Sequence, residues 1–405
     1  MKDVLAGIRV LDFCWVGAGA LVTKLLAEHG ADVIKVESRA RPDNLRVAPP
    51  FRPGAEGLDG SGYFASRNND KRSLVLNMSK PKARELARQL AASCDLVTSN
   101  FRPGVMERWG LGYSDVRQAN PSAIYLSMPM QGAEGPHSAY VGFGSTIAAL
   151  SGLVNVSGKP ERDPVGTGTH YPDHIPSPGH ALVAVLAAIR RRRLTGEGCL
   201  VEVSQFESAV ELVGPALIAV STGAPEPLRN GNRVAAHSPS GVFHCAGSED
   251  QWCAIAATSE DEWRDLADVL GQPDLGDDPR FATRAARKEN EDALEELLAP
   301  LVRAWERWSL TDALQQRGVA AWPVLNAGEL LEDEQLLSRD FWRTLDHSVM
   351  GQFTAAAAPF KNGDARTGPV DAAPLLGNDT REIASSLLGL SDQEIDELER
   401  DEVFW

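Results

Sequence analysis

Basic residues are scarce in this chain. Its 405 residues carry 40 Lys and Arg against 56 Asp and Glu, a formal net charge of −16. A surface this acidic argues against nucleic acid or an anionic membrane as partner, and any anionic ligand must be met by a local basic cluster. Cysteine is sparse as well. Cys14, Cys94, Cys199, Cys245 and Cys253 are scattered, without C-x-x-C spacing, so neither a disulfide framework nor a metal site is expected. No apolar run is long enough to span a bilayer, and Met1-Lys2-Asp3-Val4-Leu5 lacks the pattern of a secretory leader. No membrane partner and a cytoplasmic location are therefore expected. The remaining composition, 43% hydrophobic and 24% charged, suits a globular protein of two or three domains.

The first part of the chain alternates between strand and helix patterns. Ile8 to Phe13 is strand-like, Gly17-Ala18-Gly19-Ala20 opens a helix that Gly30 ends, and Ala31 to Glu37 forms the next strand. Pro81 marks another helix start, and Asp95 to Thr98 and Ala123 to Met128 supply further strands. Such alternation predicts a parallel, doubly wound α/β sheet. Gly17-x-Gly19 with Glu37 about 20 residues on invites a dinucleotide reading. Val22 stands where that fingerprint wants a third glycine, which argues against NAD as cofactor.

Basic residues gather at loops of this region: Arg39, Lys71, Arg72, Arg102 and Arg108. They can form a pocket for a phosphorylated cofactor or a solvated basic face. Asn100 and Phe101 follow a strand, at the edge where α/β sheets collect ligands; Phe101 can equally be core. Further on, Tyr171-Pro172-Asp173-His174-Ile175-Pro176 holds Asp173 between two prolines. The prolines stiffen the loop, so Asp173 is either a helix cap or a rigidly presented carboxylate. The apolar run Ala181 to Ile189 behind it reads as a buried element.

Leu5 to Asp12, Gly30 to Glu37, the Asn-x-Asp-Lys-Arg-Ser segment at 68–73, Asn100 to Gly104, Thr195 to Gly198, Gln205 to Ser208, Gly231-Asn232-Arg233 and Pro374 to Gly377 stand in this order along the chain. Together they resemble the family III CoA-transferases, a group that includes formyl-CoA, carnitine and benzylsuccinate CoA-transferases and the α-methylacyl-CoA racemases. The resemblance implies a Rossmann-like large domain (1–223), a smaller α+β domain (224–331) and a C-terminal segment (332–405) that returns to the large domain in an interlocked dimer. It implies coenzyme A or an acyl-CoA as substrate with a carboxylic acid as partner. By position Asp173 would be the covalent nucleophile, while Val16, Gly17, Arg39, Lys71, Arg72, Asn100, Phe101 and Arg108 would line the CoA site. A carboxylate needs no general base to attack a thioester.

Within that family the racemases carry a histidine shortly before a Ser-Gly pair. Counting back from Ser151-Gly152 places Phe143 there, and phenylalanine cannot carry a proton. Transferase is thus expected, with the racemase as alternative through His137 or His170. A third possibility is an acyl-CoA-binding partner subunit of a heteromeric transferase, although a chain that keeps Asp173 resembles the active partner. The spelling Tyr-Pro-Asp-His is similar to the benzylsuccinate type, which handles succinyl-CoA. The glycine run that covers the formyl-CoA transferase site has no counterpart in His237-Ser238-Pro239-Ser240-Gly241.

Overall fold

A computed structural model describes residues 3–361, 363 and 366–405; Met1 and Lys2 of the chain's start lie outside them. The contacts divide it into two units. One comprises the chain up to Val154 with Gly166–Glu226 and Glu334–Trp405; the other comprises Asn155–Val165 and Pro227–Asp333. Residues 155–165, expected within the large domain, belong to the second unit, where Gly231 N donates to Gly158 O at 2.8 Å.

The larger unit is built on a parallel sheet of β1 (Arg9–Phe13), β2 (Asp32–Glu37), β3 (Arg72–Val75), β4 (Leu96–Ser99), β5 (Ile124–Ser127) and β6 (Leu200–Glu202). Their order is β3-β2-β1-β4-β5-β6. The order reverses between β1 and β4, the switch point outside which doubly wound sheets bind ligands. Helices α1 (Ala18–Ala27), α2 (Gly62–Asn68), α3 (Pro81–Ser93), α4 (Val105–Arg108), α5 (Tyr113–Ala119), α6 (Gly144–Leu150), α7 (Tyr171–His174) and α8 (Pro176–Thr195) complete the part that matters for the site.

Both faces of the sheet are covered, as near-continuous apolar strands require. On one face Leu11, Ile34 and Val97 pack with Leu86, Leu90 and Val116 of α3 and α5 and with Ile383, Ile395 and Phe404. On the other, Val10, Val33 and Leu96 pack with Val22 and Leu26 of α1 and Val185 and Ile189 of α8. The C-terminal residues meet the β3 edge: Ser73 N donates to Asp379 Oδ2 (2.7 Å) and Asn77 N to Val403 O (2.9 Å).

The apolar run 181–189 is not fully buried. It is a helix with Ala181, Val185, Ala188 and Ile189 inward, whereas Val183 is 70% exposed and Leu186 41%. Gly196, at φ 76°, ends it in the left-handed conformation that glycine adopts freely.

In the second unit, β7 (Ser240–His244), β8 (Trp252–Ala256) and β9 (Ala320–Pro323) form an antiparallel sheet. It shares a core with Trp263, Leu266, Leu294, Leu298 and Leu310 of the surrounding helices. The segment at 237–241 leads into β7, and its Ser238 O accepts from the buried Arg287 Nε at 2.6 Å. Arg233 of the Gly-Asn-Arg motif is tied to Asp292 and Glu295 at 2.6 and 2.7 Å.

Candidate active site

The turn from β1 into α1 is held by buried charge. Asp12 Oδ1 accepts from Cys14 N and Thr98 Oγ1, each at 2.9 Å, and Oδ2 accepts from Thr23 Oγ1 at 2.7 Å and Lys71 Nζ at 3.1 Å. Lys35 Nζ donates to Cys14 O at 2.9 Å and Asp43 Oδ2 at 2.8 Å, and Val16 N donates to Asp43 Oδ1 at 3.0 Å. Burial pushes the Asp12 carboxyl upward, but Lys71 and Lys35 outweigh it and hold it below its usual range. Buried charges with every partner in place fix one geometry. Here that geometry includes Val16 at φ 62°, a conformation costly for a β-branched residue and therefore imposed by its surroundings.

This turn delivers Gly17, the N-cap of α1, against Asp173. A methyl group at position 17 would stand 2.8 Å from Asp173 Cβ, and one at Gly144 would stand 2.7 Å from its Cγ. Only glycine at both positions leaves room for the carboxylate. Asp173 is 6% exposed, on α7, with its N donating to His170 O at 2.9 Å. Burial raises its pKa to about 6, with His170 opposing. The carboxylate is thus partly stripped of water, conformationally fixed and ionised at neutral pH. The residue it touches, Gly17, is the N-cap of α1, the positive end of that helix's dipole.

Beside His174, the residue after Asp173, Tyr63 and Arg67 occupy one face of α2. The Tyr63 hydroxyl lies 3.4 Å from His174 Nε2, and Arg67 reaches His174 Nδ1 at 3.4 Å. Burial and the neighbouring Arg67 lower the His174 pKa to about 4, so the ring is neutral at physiological pH.

A cleft of about 720 Å³ opens at the carboxyl ends of β1, β2 and β4. Its apolar walls include Trp15, Phe101 and Trp109, and Arg41, Arg84 and Arg102 stand on its lining. Phe101 meets Trp15 and Trp109 edge-on, with ring centroids 5.0 and 5.7 Å away. Trp15 Nε1 donates to Val36 O at 3.0 Å. Two residues after Trp15, Gly17 touches Asp173, so cleft and carboxylate share one turn.

The residues singled out from sequence fall into three groups. Val16, Gly17, Asn100, Phe101 and Asp173 come together at this edge. Asn100 acts on the turn itself: its Oδ1 accepts from Trp15 N at 2.9 Å and its Nδ2 donates to Trp15 O at 2.6 Å. Arg39 is exposed beside the cleft, its guanidinium 5.8 Å from the centre of the Trp405 ring, and Arg108 is exposed at the end of α4.

Lys71 and Arg72 depart from the expectation. Lys71 is buried, donating to Asp12, Ala20 O, Thr23 and Asn68, which leaves no donor for a phosphate. Arg72 opens β3 and pairs with Asp32, which opens β2, at 2.8 Å. It therefore stands on the amino edge of the sheet, opposite the cleft. Residues missed from sequence are Gly144, Tyr63, Arg67, Arg41 and Arg84. The signal for Gly144 lay in its place beside Phe143, and that for Arg41 in the Arg39-Ala40-Arg41 run; nothing local marks Arg67. Glu37, which a dinucleotide site would offer to a ribose, is engaged by Arg46 at 2.8 and 2.9 Å.

The sequence model of CoA-transferase family III matches residues 5–380. The chain belongs to CoA-transferase family III. A probable CoA-transferase of Mycobacterium tuberculosis is 33% identical over 98% of this chain, which spans half the length of that protein. The succinyl-CoA:mesaconate CoA-transferase of Haloarcula marismortui is 32% identical over 94% of this chain and 95% of its own. Among solved structures, a CaiB/BaiF family protein from Brucella suis superposes with a TM-score of 0.87 at 28% identity, covering 96% of this chain and 100% of that one. Family III relatives of this kind are CoA-transferases that use acyl-CoA as substrate. Among the described residues no helix is long and apolar enough to cross a membrane, and no cluster of ligating side chains could hold a metal.

Proposed function

We propose that this protein transfers CoA from an acyl-CoA donor, of the succinyl-CoA type, to a carboxylic acid by covalent catalysis on Asp173. The observation that carries the reading is the carboxylate seated between Gly17 and Gly144, one turn from an aromatic cleft with arginines on its lining. The cleft takes the nucleotide end of CoA: aromatic walls suit the adenine, and Arg41, Arg84 and Arg102 suit its phosphates.

The carboxylate of Asp173 attacks the thioester carbonyl. The C–S bond breaks, CoA thiolate leaves, and an aspartyl mixed anhydride remains. The thiolate then attacks the Asp173 carbonyl and expels the donor's acid as a carboxylate, giving an aspartyl-CoA thioester. An acceptor carboxylate attacks that thioester, and the same two steps in reverse yield the new acyl-CoA and free Asp173. Each step exchanges bonds of similar energy, so the protein's contribution is positioning, amide donors for the developing oxyanion and shielding of the anhydride from water.

Phe143 favours transferase over racemase. It immediately precedes Gly144 beside the carboxylate and offers no titratable group there. A homodimer belongs to the same proposal: Val183 and Leu194 on α8 and Leu217 and Ile218 beyond it are exposed at 50% or more, an apolar surface of the kind that interfaces cover. Purified protein with succinyl-CoA and a panel of carboxylic acids, products read by mass spectrometry, tests the activity. New acyl-CoA species support it; hydrolysis alone, or α-carbon epimerisation without exchange, contradicts it.

A further inference from the structure

Among the described residues, no carboxylate pairs with Arg67, which is partly buried on α2. Arg46, by contrast, is bound by Glu37 and Asp59. Arg67 instead makes contacts with neutral groups: Nη1 with Ser66 O and Oγ at 3.2 and 3.3 Å, and Nη2 with His174 Nδ1 at 3.4 Å. Its Nε is buried and has no hydrogen-bond partner. Burial accordingly pulls the guanidinium below its ordinary pKa, and the neighbouring Tyr63 offsets this only in part. In a chain of net charge −16, an arginine left this way calls for an anion supplied from outside.

The surroundings narrow the anion. Tyr63 lies one helical turn before Arg67, with the guanidinium carbon 5.7 Å from its ring centre. The Tyr63 phenol is close enough to Asp173 for that charge to raise its pKa, after the larger effect of burial. His174 Nδ1 accepts from Arg67, which leaves the proton on Nε2, facing the Tyr63 oxygen. The phenol hydrogen is then free to donate elsewhere. The line Asp173, Tyr63, Arg67 therefore runs from the reacting carboxylate to a planar fork of donors, the group best matched to a second carboxylate.

We infer that Arg67, assisted by the Tyr63 hydroxyl, binds the remote carboxylate of a dicarboxylic substrate while its other carboxyl group reacts at Asp173. The inference rests on the proposed CoA transfer and names its substrate class: short dicarboxylic acids and their mono-CoA thioesters.

The test compares succinate with butyrate, acids of equal chain length, as acceptors from one acyl-CoA donor. Both acids are also titrated onto the protein calorimetrically. Wild-type protein should favour succinate, and Arg67→Gln should lower the succinate-to-butyrate ratio of kcat/KM at least about tenfold, mainly through KM. Arg67→Lys should restore part of the ratio, and Tyr63→Phe should lower it more mildly. Should Arg67→Gln fail to fold, by circular dichroism, the other two variants decide. An unchanged ratio, or a wild-type protein indifferent to the second carboxylate, overturns the inference. Succinate binding that depends on Arg67, in a protein that exchanges CoA with no acid, would sink the transferase reading while keeping the anion site.

Discussion

The Asp173 carboxylate lies so close to Gly144 that a single methyl group there would stand 2.7 Å from its Cγ. The two residues are far apart in sequence, and no local pattern links them. Gly144→Ala should therefore displace the carboxylate and cut the rate of CoA exchange by about 10²-fold, the scale of a misplacement of about 1 Å. Steady-state kinetics beside a CoA binding isotherm check this. Exchange at wild-type rate in the alanine variant would show that the carboxylate has room to spare.

Burial has a second consequence. An Asp173 pKa raised to about 6 means that the folded state binds its proton more tightly than the unfolded chain does. Wild-type stability then falls as pH rises from about 4 to about 6, and the loss is complete above that window. Asp173→Asn removes this dependence, so it should be more stable than wild type at pH 7.5 by about 3 kcal/mol, and by little at pH 4. Urea unfolding at both pH values measures the difference. Exchange by the wild type should fall about tenfold per unit below pH 6, as the nucleophile is protonated. Equal stabilities at pH 7.5 would contradict the buried-carboxylate account.

Lys71 is a structural cation. Lys71→Met would leave Asp12 buried without its closest counter-charge, at a cost of about 3–5 kcal/mol. Urea unfolding of the variant should show a loss on that scale, and wild-type stability would return Lys71 to the candidates for phosphate binding.

Arg41, Arg84 and Arg102 should carry the salt-sensitive part of CoA affinity. Alanine at a phosphate-contacting position should weaken binding by about 1–3 kcal/mol and flatten its salt dependence. Arg72→Ala, on the opposite edge, should leave the dissociation constant unchanged. Calorimetric titrations at low and high salt decide, and a loss at Arg72 equal to that at Arg102 would relocate the site.

The sheet was legible in the sequence because β1, β2, β4 and β5 are short apolar runs punctuated by Gly30, Pro81 and polar turns. Asp173 was legible as a proline-flanked acid, but its role came from resemblance, because a helix cap has the same local spelling. The errors have one cause. Lys71 and Arg72 are adjacent at the start of β3, and side chains alternate along a strand. Lys71 turns inward to Asp12 and Arg72 outward to Asp32, a partition that charge counting cannot see. Arg67 escaped notice for the converse reason, since what distinguishes it is the partner it lacks. The exposed half of α8 also reads in sequence as if it were core.

The central claim, a covalent Asp173 intermediate, is tested most directly by trapping. Protein turning over an acyl-CoA with an acceptor acid is quenched with hydroxylamine, digested and sequenced by mass spectrometry. An aspartyl anhydride or thioester is electrophilic and should appear as a hydroxamate on Asp173 only when acyl-CoA is present. Active protein that yields no modification at Asp173, or a hydroxamate on another carboxylate, would contradict the account.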